Sequence, residues 1–504
     1  MNRSHSPSSD FNPSRRYLAG SFPMRMQASC PQGRLRAGSV RNSLPPAGAF
    51  RPDRTGGWFW NMTEDQSITI GERHGWGDPL RFGISQTDRR QHIYIIGKTG
   101  SGKTTLLRNL IVQHMTLGHG VGLIDPHGDL AEELLDLIPS RRSRNVCYFN
   151  PGDLEFPVGL NLLANVAPDD RHLVASGIVG AFKGIWRDSW GPRLEYILHN
   201  AISALLDCPQ TSLLGVNRML TDDSYRVWVV AQIKDPFIKA FWTEEYAGYD
   251  PRFRREAIAP IQNKIGQFVL NPVIRNILGQ VTTKVSVPFI MDNHRIFIAN
   301  LSKGRLGDEK ANLLGSLLTT QFQLGAMARA NRPEAERPDF HLFIDEFQNF
   351  STDAFASILA EARKYRLCLT LSHQYIDQLS LPVRQAVFGN VGTLIAFRVG
   401  STDAEALEKE FGRAFPANAL ADLDRYEAAV KLLEDGTNRE PFRAKTLPPY
   451  GKRTGGADKL IARSRERFAQ PRTLVEENLS RWLARDAEKS PVFEKRQPPH
   501  AVQH

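Results

Sequence analysis

The stretch His92–Ile111, HIYIIGKTGSGKTTLLRNLI, constrains this 504-residue chain more than any other. An apolar run of strand character leads into a glycine-rich loop, and the loop into an apolar-periodic helix. Residues 97–104, GKTGSGKT, match G-x-x-x-x-G-K-[ST]. Glycine lets the backbone wrap tightly, so N–H groups of Gly97, Lys98, Thr99, Gly100, Ser101 and Gly102 can converge on one anion. Lys103 supplies a point charge for the β- and γ-oxygens of a nucleoside triphosphate. Thr104 offers its hydroxyl to Mg²⁺, and Thr105 completes the binding segment at the helix N-terminus. The expected ligands are therefore ATP and Mg²⁺. The loop alone does not say what the hydrolysis drives.

A second half of the site is expected at the end of another apolar strand. FHLFIDEFQNF supplies Asp345 and Glu346. Asp345 is expected to hold Mg²⁺ through water. Glu346, one residue on and facing the opposite way, is expected to polarise the attacking water. LTLSHQY ends the following strand and places Gln374 level with the γ-phosphate, where an amide can sense its presence. VGLIDPHGDL puts Asp125 and Asp129 on the same sheet edge. Two acids and His127 make a poor metal site. A turn through Pro126 and Gly128, with Asp129 capping the next helix, is the preferred reading.

The formal charge of +10 sits in the tails. Residues 1–58 carry nine arginines and two acids, and residues 451–504 carry twelve basic and seven acidic side chains. The body between them is close to neutral, so the basic balance does not by itself imply nucleic acid on the body. The four cysteines, Cys30, Cys147, Cys208 and Cys368, lack CxxC or zinc spacing and suit a reducing compartment. No apolar run is long enough to span a membrane. The expected location is the cytoplasm, with attachment to the inner membrane through partners.

Strand and helix patterns alternate from about residue 66, which predicts an α/β fold with a mainly parallel sheet covered on both faces. Residues 1–62 read as a disordered basic tail, with an over-long translation start before Met62 as the plainest explanation. The core is expected in two pieces, 63–165 and 281–450, split by an all-helical insertion at 166–280. AAVKLLEDGTNREPFRAKTL predicts a hairpin turning at Asp435-Gly436. Residues 451–504 read as a basic, partly helical tail whose helix near PRTLVEENLSRWLAR is solvated.

GKTGSGKTTLL, LIDPHGDLAEEL, YFNPGDLEFPVGLNLL, IFIANLSKGRLG, HLFIDEFQNF, EARKYRLCLTLSHQYIDQL and TLPPY occur in this order. Together they resemble the HerA–FtsK group of RecA-like ATPases, and within it the type IV coupling proteins of conjugation. The resemblance spans roughly residues 75–450. It implies a RecA-like P-loop core with an inserted all-α domain, acting as a hexameric ring that hydrolyses ATP to move DNA. It also implies an arginine reaching a neighbour's γ-phosphate. Arg363 matches that position, and Arg366 is the alternative. Coupling proteins usually begin with membrane helices and this sequence shows none, which puts docking to a secretion channel in doubt.

Two other functions fit the same chemistry. One is a HerA-like motor working with a nuclease partner. The other is a secretion ATPase that moves protein. Relaxosome or channel proteins are further expected partners. Lys303, Arg305, Arg252, Arg254 and Arg255 are candidate DNA contacts, although a solvated face is the more common reading of each.

Overall fold

A computed structural model describes residues 67–73 and 78–484. The tail expected at 1–62, its boundary at Met62 and the final stretch 485–504 lie outside the described residues.

The strands are β1 (Ile68–Arg73), β2 (Leu80–Ile84), β3 (Ile93–Ile96), β4 (Gly120–Asp125), β5 (Val146–Phe149), β6 (Ile296–Asn300) and β7 (Phe340–Ile344). They continue with β8 (Leu367–His373), β9 (Thr393–Ala396), β10 (Glu427–Lys431), β11 (Leu433–Glu434), β12 (Thr437–Asn438) and β13 (Phe442–Thr446). Eleven form one sheet in the order β2-β1-β13-β10-β9-β3-β8-β7-β4-β6-β5. From β9 to β5 every pairing is parallel. From β9 through β10, β13 and β1 to β2 every pairing is antiparallel. The expected mainly parallel α/β sheet is therefore present.

Parallel strands need cover on both faces, and their sequences show it. Every residue of β3, β4, β5, β6, β7 and β8 is buried. Alternation along β3 sends Ile93 and Ile95 into a core with Leu106, Leu107 and Leu110 of the helix Lys103–Leu117. Tyr94 and Ile96 enter the opposite core, which continues into Ile178, Phe182 and Ile197 of the helical segment.

Between Arg171 and Asp292 the elements are helices. Their starts are written locally. Asp235-Pro236, Asp250-Pro251 and Asn271-Pro272 each place a side-chain acceptor at the cap and proline at the first helical position.

The hairpin at Asp435-Gly436 forms as expected. Leu433 pairs with Asn438 and Glu434 with Thr437. Asp435 and Gly436 have φ of 51° and 73°, the left-handed pair that a two-residue hairpin loop needs.

The C-terminal helices are not solvated, which corrects the sequence reading. Helix Ala457–Phe468 lies along the edge strand β5, where Ser464 Oγ accepts from Tyr148 N at 2.9 Å. Val158 and Ala469 form a bridge beside it. Helix Arg472–Ala484 buries Val475 and Leu479 against Leu214 of the helical segment. A covered edge strand cannot pair with another chain. The sequence hid this because the two helices contribute few apolar residues, chiefly Leu460, Val475 and Leu479, among many charges.

Candidate active site

The loop after β3 is held from outside as well as by its own glycines. Lys98 N donates to Arg398 O at 2.8 Å, and Tyr426 N donates to Ser101 O at 2.8 Å. A Cβ on Gly97 would lie 2.6 Å from Phe397 Cβ. One on Gly102, where φ is 125°, would lie 2.9 Å from the Tyr426 ring. Phe397, Arg398 and Tyr426 thus form the wall behind the loop. Sequence reasoning missed all three. Only the strand pattern of GTLIAFRV hinted at the first two.

Lys103 is buried and its Nζ donates to Gly97 O at 2.6 Å and Lys98 O at 3.2 Å. Burial lowers its pKa, while Glu346 and Asp345 oppose that shift. Thr104, at the first turn of the helix, is exposed beside it. Thr99 is exposed and Thr105 half-buried.

β7 ends at Ile344, so Asp345 and Glu346 lie just past the strand. The expectation that strand alternation points them apart does not describe this geometry. Glu346 instead takes a left-handed backbone, φ 45°, which directs its side chain. Its Oε1 accepts from Gln374 Nε2 at 2.6 Å and its Oε2 from Gln348 Nε2 at 2.8 Å. Gln374 Oε1 in turn accepts from Thr99 Oγ1 at 3.0 Å. Carboxylate, amide and glycine-rich loop are joined in one chain of hydrogen bonds. Below it, buried His373 meets Tyr94 through Nδ1 and the phenol oxygen at 2.9 Å.

The Asp345 carboxyl is pushed up to about 6, first by burial and then by the nearby charges of Asp125 and Glu346. Asp125 is itself buried at the end of β4. Its two oxygens accept from His127 N and Ala131 N, each at 2.9 Å. Asp125, not Asp129, therefore tethers the start of helix Asp129–Leu135. The residue before that helix is Gly128, and Asp129 is its first helical residue with no side-chain cap. This corrects the capping assignment. Asp125 wins because the strand end aims it at the helix N-terminus, where free N–H groups collect.

Three carboxylates thus crowd a site whose compensating cation is the partly desolvated Lys103. A divalent cation would relieve that crowding, and Thr104 and Asp345 supply oxygen donors suited to Mg²⁺. The residues present fit ATP and Mg²⁺.

Arg363 and Arg366 separate clearly. Both precede β8, at the end of the sheet remote from the loop, with the seven residues of β8 between them and Gln374. That is a span of about 20 Å. Arg363 is exposed. Arg366, with φ 58°, pairs with Glu334 at 3.2 Å and Asp339 at 3.7 Å in its own chain.

A trio of His114 and His341, both buried, with half-buried His119 gathers at the same remote end. His114 and His119 share a hydrogen bond between Nδ1 atoms at 2.9 Å, closer than two ligands of one tetrahedral metal would sit. Burial and the Arg89 guanidinium hold these rings neutral. The same guanidinium opposes a bound cation, so we read the trio as packing.

Residues 82–167 match the family model described as helicase HerA, central domain. The bacterial conjugative coupling protein TrwB, in its unbound monoclinic form, superposes with a TM-score of 0.57 at 15% identity, over 79% of this chain and 91% of that one. The chain shares the fold of this coupling protein, and residues 82–167 resemble the HerA central domain. TrwB in complex with ADP and Mg²⁺ matches the same core with a TM-score of 0.56 at 15% identity, over 79% of this chain and 99% of its own. VirB4 of Thermoanaerobacter pseudethanolicus matches it with a TM-score of 0.51 at 14% identity, over 77% of this chain and 97% of that one. By sequence, no curated protein matches the chain. No helix among the described residues is long and apolar enough to cross a membrane.

Proposed function

We propose that this chain is an ATP-hydrolysing DNA translocase of a conjugative or mobile element, working as a ring oligomer, most simply a hexamer. The observation that carries the reading is the hydrogen-bonded line from Glu346 through Gln374 to Thr99. It ties a carboxylate beside the phosphates to the loop that grips them, as a turnover enzyme requires.

Lys103 leaves its backbone acceptors to meet the β- and γ-oxygens. Thr104 and Asp345 would hold Mg²⁺, which would supply charge neutralisation on the phosphate oxygens. Glu346 takes the proton from the attacking water, and Gln374 reports the γ-phosphate to Glu346. Arg363 is too far along the sheet to serve its own site. In a ring its exposed guanidinium serves the neighbour's γ-phosphate, and Arg366 stays in its own ion pairs. The core at 63–165 and 281–450 performs hydrolysis, and the helices of 166–280 mount on its face. The protein works in the cytoplasm and reaches the membrane through relaxosome or channel partners.

The fold likeness to VirB4 supports a second reading, a secretion ATPase that moves protein. A HerA-like motor with a nuclease partner shares all the chemistry above. ATPase rates with and without single- and double-stranded DNA, against a Lys103→Ala control, test the first reading. Strong stimulation by DNA, absent in the control, is expected. Robust hydrolysis indifferent to DNA would overturn the translocase reading in favour of the protein-moving one. A companion variant, Glu346→Gln, is expected to retain ATP binding and lose at least about a hundredfold in turnover; wild-type turnover would remove Glu346 from its role.

A further inference from the structure

A cleft of about 290 Å³ opens beside the edge strand β5, far from the nucleotide loop. Four cations line it, Arg144, Lys284, Arg295 and Arg467, together with Phe289 and Phe468. No carboxylate among the described residues lines it. The cations come from four separate segments: the turn before β5, the loop before helix Val287–Asp292, the residue before β6, and the end of helix Ala457–Phe468. Arg144 and Arg295 sit at the N-terminal ends of β5 and β6. Both strands run parallel to β3, so the cleft lies on the sheet edge opposite the nucleotide site.

Their hydrogen bonds go to neutral acceptors. Arg295 Nη1 donates to Asn145 Oδ1 at 2.7 Å and to Arg144 O at 3.2 Å. Arg467 donates to the same Arg144 oxygen. Lys284 Nζ donates to Ala469 O at 3.2 Å. Two guanidinium groups thus share one carbonyl, and like charges are brought together with no acid between them. Neutral acceptors fix the positions of these groups and leave their charge uncompensated. Surface cations on a solvated face diverge; these converge.

The aromatic rings add a second requirement. Phe289 is 51% exposed and lies under the Arg295 guanidinium, 5.4 Å from ring centre to carbon. Arg467 lies 5.3 Å over the Phe468 ring. Free phosphate would use the cations and leave the rings idle. Single-stranded nucleic acid uses both, through its backbone and the faces of its bases.

We infer that this cleft is a binding site for single-stranded nucleic acid, built by the C-terminal helix against the sheet edge and separate from the ATP site. It rests on its own geometry and not on the translocase reading.

The test uses the full chain and fluorescence anisotropy of a labelled thirty-nucleotide oligonucleotide across a salt series. Arg144→Gln/Lys284→Gln removes two of the exposed charges, and thermal melting checks the fold. The expected result is weaker binding by at least about tenfold near 0.1 M salt, with the slope of log K against log salt reduced by about 1.4, two phosphate contacts at about 0.7 each. Phe289→Ala, which leaves every charge in place, is expected to weaken binding at least about fivefold with the slope unchanged. Unchanged affinity and slope in the double variant would overturn the inference, as would failure of the wild type to bind. Loss of duplex binding alone, with single-strand binding intact, would also overturn it. DNA-stimulated ATPase activity measured on the same double variant keeps the two readings apart. A motor without this cleft shows full stimulation in the variant. A cleft without a motor binds the strand and shows no stimulation even in the wild type.

Discussion

Gln374 donates from Nε2 to Oε1 of Glu346 over 2.6 Å, while its own Oε1 accepts from the Thr99 hydroxyl at 3.0 Å. A donor this close fixes the rotamer of Glu346. A γ-phosphate arriving beside Thr99 competes for that hydroxyl and so perturbs the amide. Gln374→Ala is expected to lower kcat about tenfold to a hundredfold, with KM for ATP changed less than about threefold. Steady-state kinetics check this. A raised KM with unchanged kcat would make Gln374 a binding residue only.

Asp345 carries a pH signature. Its folded pKa, about 6, lies above the usual carboxylate value. A raised carboxyl pKa means the ionised form is disfavoured in the folded state. Its contribution to stability is whole below about pH 4 and is lost as pH rises through about 6. Asp345→Asn removes the repulsion with Asp125 and Glu346. In the absence of nucleotide and metal, the variant is expected to be about 1–3 kcal/mol more stable than wild type at pH 7.5, and the gap should narrow at pH 5. It should also lose the Mg²⁺ dependence of nucleotide affinity. Thermal melts at the two pH values and titrations with and without Mg²⁺ decide it. A variant less stable than wild type at both pH values would refute the crowding.

Arg363 and Arg366 are three residues apart and predict opposite phenotypes. Arg366→Ala breaks ion pairs with Glu334 and the largely buried Asp339, and is expected to destabilise the fold by about 1 kcal/mol. Arg363→Ala should leave stability within about 0.5 kcal/mol, because its side chain is exposed. It should lower the ATPase of the assembled protein at least about tenfold. Activity measured against protein concentration separates the two. Equal activity of Arg363→Ala and wild type across that range would end its assignment to a neighbour's site.

Leu460 anchors the C-terminal helix in the core shared with Leu106 and Leu110. Leu460→Asp places an unpaired charge there and is expected to cost about 2–4 kcal/mol. Loss of the cover on β5 should also promote association through that edge. Urea denaturation and light scattering give the two readouts. A loss below about 0.5 kcal/mol would mean that this helix does not pack on the sheet.

Much of the fold was legible because its signals are local. The strand–loop–helix around Lys103, the apolar strand running into Asp345-Glu346, the Asp-Pro and Asn-Pro helix starts and the Asp435-Gly436 turn are each written within a few neighbouring residues. The direction of Glu346 was not legible, because a left-handed backbone just past the end of β7 sets it. Nor was the helix tether: Asp125 and Asp129 are equivalent as sequence, and only the strand end puts one of them at the helix N-terminus. The C-terminal helices read as solvated because their apolar residues are sparse.

The sequence by itself determined the glycine-rich loop between strand and helix, the adjacent carboxylates and the alternation of strands and helices. Each depends on backbone preferences and periodicities that act over a turn or a strand. Tertiary structure alone decided which side chains meet. Thr99 and Gln374 are 275 residues apart in sequence and share a hydrogen bond because β3 and β8 are neighbours in the sheet. Arg366 is tied to its own chain and Arg363 is not, because Asp339 precedes the strand next to β8. The four cations of the cleft converge because a helix near the C-terminus folds back onto the edge strand. Pair distances of this kind follow from sheet order and packing, which no local pattern of residues encodes.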